Sequence, residues 1–179
     1  METNTKQILT ILNIVSWVIF IGLLINTGGV AFSYVMSLFK PESAKSLYDG
    51  LNLSELERSG FWYYTCVISF IVALSGLKAY LFYLVIQLFS KINLAHPFRP
   101  EIAALIVTIS HNALGIAILA LIANGYSNWL VKHGFTAADT LQRHWQGSAE
   151  FLLLAGIIYI IGQVFKRGVE LQSEHELTI

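Results

Sequence analysis

Four long apolar runs limit what this chain can fold into. They extend from Ile8 to Ile25, Tyr63 to Leu88, Ile102 to Tyr126 and Ser148 to Phe165. A helix needs about 20 consecutive apolar residues to cross a hydrocarbon core, so each run can span. The fourth is the shortest, and so the least tilted or the most dependent on its neighbours. The runs are continuous and do not alternate with period two, and a backbone in lipid must satisfy its own hydrogen bonds. The expected fold is therefore all-α, an integral membrane bundle of four transmembrane helices. It forms a single membrane domain over residues 1–179, with residues 166–179 as a C-terminal tail.

Composition agrees. Of 179 residues, 55% are hydrophobic and 12% charged, against about 25% charged in a typical soluble domain. Net charge is zero, which provides no basic field for nucleic acid, so no direct nucleic-acid contact is expected. The single cysteine, Cys66, cannot form an internal disulfide and reads as a small packing residue. The first run differs from a signal peptide: one lysine precedes it, its apolar stretch is long, and the following NTGG offers no A-x-A cleavage site. It is expected to remain as a permanent helix.

The connections carry the punctuation. Phe39 to Gly60 is a polar loop with a short helix expected inside it; Ser54 to Glu57 has the S-x-x-E spacing of a capping box, and Gly60 breaks the helix again. Pro100 and Glu101 suit the first turn of the third span, where a missing N–H costs nothing and an acid meets the positive end of the dipole. Lys6, Lys91, Arg99, Lys166 and Arg167 lie in short segments close to span ends on the side of both termini, against an equal set on the other side, Lys40, Lys45, Arg58, Lys132 and Arg143, that is mixed with acids. The balance is nearly even, and the shorter segments favour cytoplasmic termini. Trp62, Trp129 and Trp145 all fall on the other side, as an interfacial aromatic belt would.

Lys78 is the most costly residue to place. It lies ten residues before Leu88, about 15 Å into the second span. His111, nine residues after Ile102, has a similar expected depth, with Asn112 beside it and Ser75 one turn from Lys78. Ser75, Lys78, His111 and Asn112 thus form an expected polar focus. An intramembrane lysine costs roughly 2.5–3.5 kcal/mol on insertion scales and needs a partner, a cavity or a route to the interface. Two readings follow: a proton-responsive or ligand-contacting Lys/His pair, or a snorkelling lysine beside interhelical hydrogen bonds from His111 and Asn112.

Other chemistry finds no motif. His111 has no second axial histidine at its depth, so haem is not expected. His133, Asp139 and His144 match no standard zinc spacing. No glycine elbow, phosphate-binding loop, H-E-x-x-H or intramembrane carboxylate pair is present. Neither a metal nor any other cofactor is expected, and the protein reads as non-enzymatic. Glu150 marks a helix start. Asn13, Asn26, Gln87, Asn124 and Gln163 read as residues joining helices, with Ala113 and Ala117 suited to close packing.

Two segments carry a family resemblance. The connection FSKINLAHPFRPEIA contains His96, Pro97 and Phe98; the ending FKRGVELQSEHELTI contains Gly168, Glu170, Leu171, Glu174, Glu176, Leu177, Thr178 and Ile179. The chain resembles the bacterial four-span membrane proteins grouped as domain of unknown function 2975, which have N-P-F or a similar connection and a terminal D/E-L-T-I or D/E-L-T-V. His96 stands where asparagine is more usual. The resemblance implies a bacterial inner-membrane location, no established reaction, and a regulatory partnership with a small helix-turn-helix protein encoded nearby.

The tail gives that partnership a physical form. As a helix it would place Glu170 and Glu174 on one face, and with Leu171, Glu176, Leu177, Thr178 and Ile179 it forms a candidate partner-binding surface. An acidic face can compete with phosphate for the basic surface of a DNA-binding protein. The alternative is a solvated helix whose Lys166 and Arg167 meet lipid headgroups. The expected function is a sensor or anchoring partner in local gene regulation. The rivals are a small transporter or immunity-type protein with a midplane polar cavity, and an accessory subunit of a larger membrane complex. Besides the lipid bilayer, copies of the chain itself are a further possible partner.

Overall fold

The computed structural model describes residues 2–40, 47, 50–93, 96–135, 141, 145 and 147–176. Its helices are α1 (Glu2–Phe39), α2 (Ser54–Ser59), α3 (Phe61–Lys91), α4 (Pro100–Lys132) and α5 (Ser148–Glu176), with no strand among the described residues. α1, α3, α4 and α5 are long and apolar enough to cross a membrane.

The helices exceed the apolar runs that announce them. α1 passes through Asn26, Thr27, Gly28 and Gly29 without a break. In hydrocarbon no water competes for the backbone, so two glycines do not end a helix, and Thr27 hides its hydroxyl by donating to Leu23 O at 2.8 Å. Gly60 divides α2 from α3 as expected, its N–H donating to Leu56 O at 3.1 Å. Pro100 and Glu101 occupy the first turn of α4, and Glu150 that of α5. The capping box at Ser54 is not formed. Leu53 is the N-cap residue, and Ser54 instead directs both its N–H (3.1 Å) and its Oγ (2.7 Å) to Asn52 Oδ1. The Glu57 N–H that a capping box would have satisfied donates to Leu53 O at 3.0 Å.

Packing follows chain order: α1 lies on α3, α3 on α4, and α4 on α5, with α2 against α3. The central pair holds most of the core, including Val67, Ile71 and Leu74 of α3 and Ile109, Ala113, Ile116 and Ala117 of α4. Ala113 and Ala117 are fully buried, in keeping with their expected role. The outer helices expose large apolar side chains, among them Ile11 and Val18 of α1 and Leu153 and Ile160 of α5. Such surfaces belong against lipid.

α4 and α5 are in tight contact at Gly162. A Cβ there would stand 2.8 Å from Val107 Cγ2, and further along the same face Ser110 Oγ donates to Ala155 O at 2.9 Å. This register makes α5 the shorter element at the end opposite the chain termini. Ser148 lies about 10 Å beyond the level of Ser110, whereas α4 continues for about 33 Å to Lys132. Leu141 and Trp145, which precede α5, are both buried. Trp145 is only 3% exposed, donates Nε1–H to Ser127 Oγ at 2.6 Å and meets Phe70 edge-on. It is therefore a core residue and not part of an interfacial belt. Trp62 and Trp129, at the same end, are exposed.

Since the Gly162 position has no room for a side chain, Gly162→Leu should separate α4 from α5. We expect a loss of about 1–3 kcal/mol, read as a lowered Tm in detergent, with Gly162→Ala falling in between. An unchanged Tm for the leucine variant would contradict this packing.

Candidate functional site

Lys78 lies on the packed face of α3. It shares a helical stripe with Ile71, Leu74 and Leu81, seven and four residues before it and three after it, and all three are buried. The exposed face of α3 carries Ser69, Ala73 and Tyr80 instead. Because Cα–Cβ bonds tilt toward a helix N-terminus, the Lys78 side chain climbs toward the end where α5 begins. There its Nζ sits 5.7 Å from the ring centroid of Phe151, one turn into α5. An ammonium over an aromatic face is attracted by the ring quadrupole. Among the described residues no carboxylate lies within 4 Å of Nζ.

Asn112 joins the same region from α4. Its Nδ2 donates to Leu77 O of α3 at 3.5 Å, while its buried Oδ1 has no protein partner. Ser75 contributes less than its spacing implies: its Oγ donates to Ile71 O (2.8 Å) and to Val72 O (3.2 Å) of its own helix. His111 does not join the focus. One residue is 100° of helix, and with Asn112 turned to α3, His111 is exposed on the opposite flank, its ring 6.4 Å from Tyr159 of α5. The Lys/His pair is thus replaced by Lys78, Asn112 and Phe151.

A second polar contact, between α1 and α3, has no counterpart in the sequence reading. Tyr34 OH and Thr65 Oγ1 are 3.0 Å apart, and the buried Ser37 Oγ lies 2.7 Å from Tyr64 OH. These groups satisfy one another in an apolar setting, which is the ordinary use of hydroxyls between membrane helices. The signal was the i, i+3 pair Tyr34 and Ser37, beyond the apolar run of the first span. His133 is also accounted for locally, with Nδ1 2.8 Å from Trp129 O and its ring 4.0 Å from that of Trp129. Asp139 and His144, its companions in the zinc spacing, lie outside the described residues.

The tail is a direct continuation of α5 and not a separate segment. Arg167 Nη1 donates to Glu170 Oε2 at 2.7 Å on the exposed surface. Glu170, Leu171 and Glu174 are exposed, and Glu176 closes the helix. Leu177, Thr178 and Ile179 lie outside the described residues. Phe98, from the connection between α3 and α4, covers the start of this extension. Its ring packs 5.4 Å from that of Phe165, and a Cβ on Gly168 would collide with it. The connection and the tail, far apart in sequence, therefore meet at Phe98 and Gly168.

Comparison with curated proteins found no match, and comparison with solved structures found none. The sequence pattern of a family described as protein of unknown function (DUF2975) matches residues 40–179. That match takes in most of the chain and both partners of the Phe98–Gly168 contact, and the chain belongs to the DUF2975 family of proteins of unknown function.

Proposed function

We propose that this chain is a non-enzymatic protein of the bacterial inner membrane that holds or signals to a soluble partner through α5. The observation that carries this reading is the unbroken course of α5 from Ser148 to Glu176. Phe151, in contact with Lys78, lies about 37 Å from the helix end, and the helix between them has no interruption. Any change in how Lys78 is satisfied moves a rod whose far end is the exposed tail. Phe98 on Gly168 steadies the point where the rod leaves the bundle. The partner class implied by the family resemblance is a small helix-turn-helix regulator, whose cations would meet Glu170 and Glu174. The Arg167–Glu170 pair is no obstacle, since exposed pairs are worth only about 0–1 kcal/mol and exchange readily.

A ligand-binding or transport reading has one observation in its favour. Lys78 has only an aromatic ring as partner among the described residues, and Asn112 Oδ1 has none. Either group could meet a ligand that enters between α3, α4 and α5.

Deleting Leu171 to Ile179 should release a co-expressed regulator from the membrane fraction, while the shortened chain still inserts. Gly168→Leu should weaken the same partitioning with the tail sequence intact. Unchanged partitioning in the deletion would remove tail docking. Lys78→Met separates the two readings from a structural role. It eases an insertion cost of roughly 2.5–3.5 kcal/mol, so the variant should fold at least as well as the parent, with equal or higher Tm. Loss of regulator partitioning or of solute uptake in that stable variant would implicate the ammonium. Full retention of both would show that Lys78 is only a packing residue.

A further inference from the structure

The outward seam of α4 and α5 carries a row of polar groups that face away from the bundle. His111 is exposed on the side of α4 opposite the buried row Ile109, Ala113, Ile116 and Ala120. Tyr159 of α5 lies beside it, and Gln163, one turn further along α5, is also exposed. Thr108, one turn before His111, already donates to Ala104 O at 2.9 Å, and Gly115, one turn after it, has open space around its Cβ position. Arg99 lies about 18 Å from His111 along the helix and Lys166 about 5 Å from Gln163, so the row runs from one headgroup region to near the midplane.

Hydrocarbon offers no hydrogen bond to these groups, and polar residues at such depth face protein or a water-filled cavity. We propose that this seam is the contact between two copies of the chain, related by a two-fold axis along the membrane normal. In such an interface a residue near the axis meets its own copy at the same depth. That geometry suits only side chains able both to donate and to accept, as an imidazole, a phenol and a primary amide all can. A seam built for a cation or a carboxylate would oppose like charges across the axis, and between Gln163 and His111 this seam contains neither. The glycine at 115 lets the helices approach closely where His111 pairs, in the manner of small residues at membrane helix contacts.

The test uses single cysteines in a Cys66→Ser background, in native membranes. Gly115→Cys should give a disulfide-linked dimer on mild oxidation, and Leu153→Cys, exposed on another side of α5, should not. Adding His111→Leu and Gln163→Leu to the Gly115→Cys chain should lower the association constant about tenfold. Three results would overturn the proposal: no dimer at position 115, equal cross-linking at 115 and 153, or cross-linking of 115 to a different polypeptide only. If the double leucine variant fails to insert, the comparison between positions 115 and 153 still decides the matter.

Discussion

A peptide backbone that enters hydrocarbon has no water to bond with, and each N–H and C=O left open there costs several kcal/mol. The long helices of this chain are the direct result. The same constraint explains why they overrun their apolar segments: Asn26 to Gly29 continue α1, and α5 carries on past Lys166 to Glu176. Side-chain hydroxyls obey it too. Ser16, Thr27, Ser75, Ser90 and Thr108 each donate to a carbonyl one turn earlier in their own helix. Once the backbone and these hydroxyls are satisfied within single helices, few polar groups remain to act between them. Those few, Asn112 with Leu77 O, Lys78 with the Phe151 ring, Tyr34 with Thr65, Ser37 with Tyr64 and Ser110 with Ala155 O, mark where the helices are specified against each other.

Helix number, order and punctuation were legible because they depend on local composition. The stops at Gly60, the start at Pro100 and the small residues Ala113 and Ala117 need no tertiary information. Depth was legible as well, since the rise per residue is fixed. What spacing alone could not deliver was azimuth. Lys78 and His111 sit at comparable depths, yet one faces inward and the other outward, because the packed side of a helix depends on where its neighbours lie. The apolar side of a membrane helix is no guide, for lipid and core are equally apolar. The stripe of Ile71, Leu74 and Leu81 was visible in the sequence, but leucine and isoleucine also line the exposed faces of α1 and α5. Trp145 was misplaced for a related reason. Its position in a polar connection implied an interface, and only the Ser127 hydroxyl and the Phe70 ring reveal that Trp145 packs onto α4 and α3.

The Phe98–Gly168 contact gives a physical basis to the two segments that carry the family resemblance. A phenylalanine in a short connection and a glycine after the last apolar run have no evident relation in sequence. In the fold, the ring occupies the space that any side chain at position 168 would need. The tail leaves the bundle along the path that this ring leaves open. A motif split between two distant segments can therefore be one packing unit, and its glycine answers to an approaching ring and not to a turn.

Packing in chain order bears on how such a protein is made. α3 rests chiefly on α1 and α5 on α4, each on a helix synthesised earlier, whereas α4 packs more extensively on α5 than on α3. As helices leave the ribosome one after another, α3 and α5 find their main partner already in the bilayer, while α4 gains its larger contact only with α5. The half-buried lysine of α3 gains its aromatic neighbour only when α5 arrives, so a helix inserted later completes the surroundings of the least lipid-compatible residue.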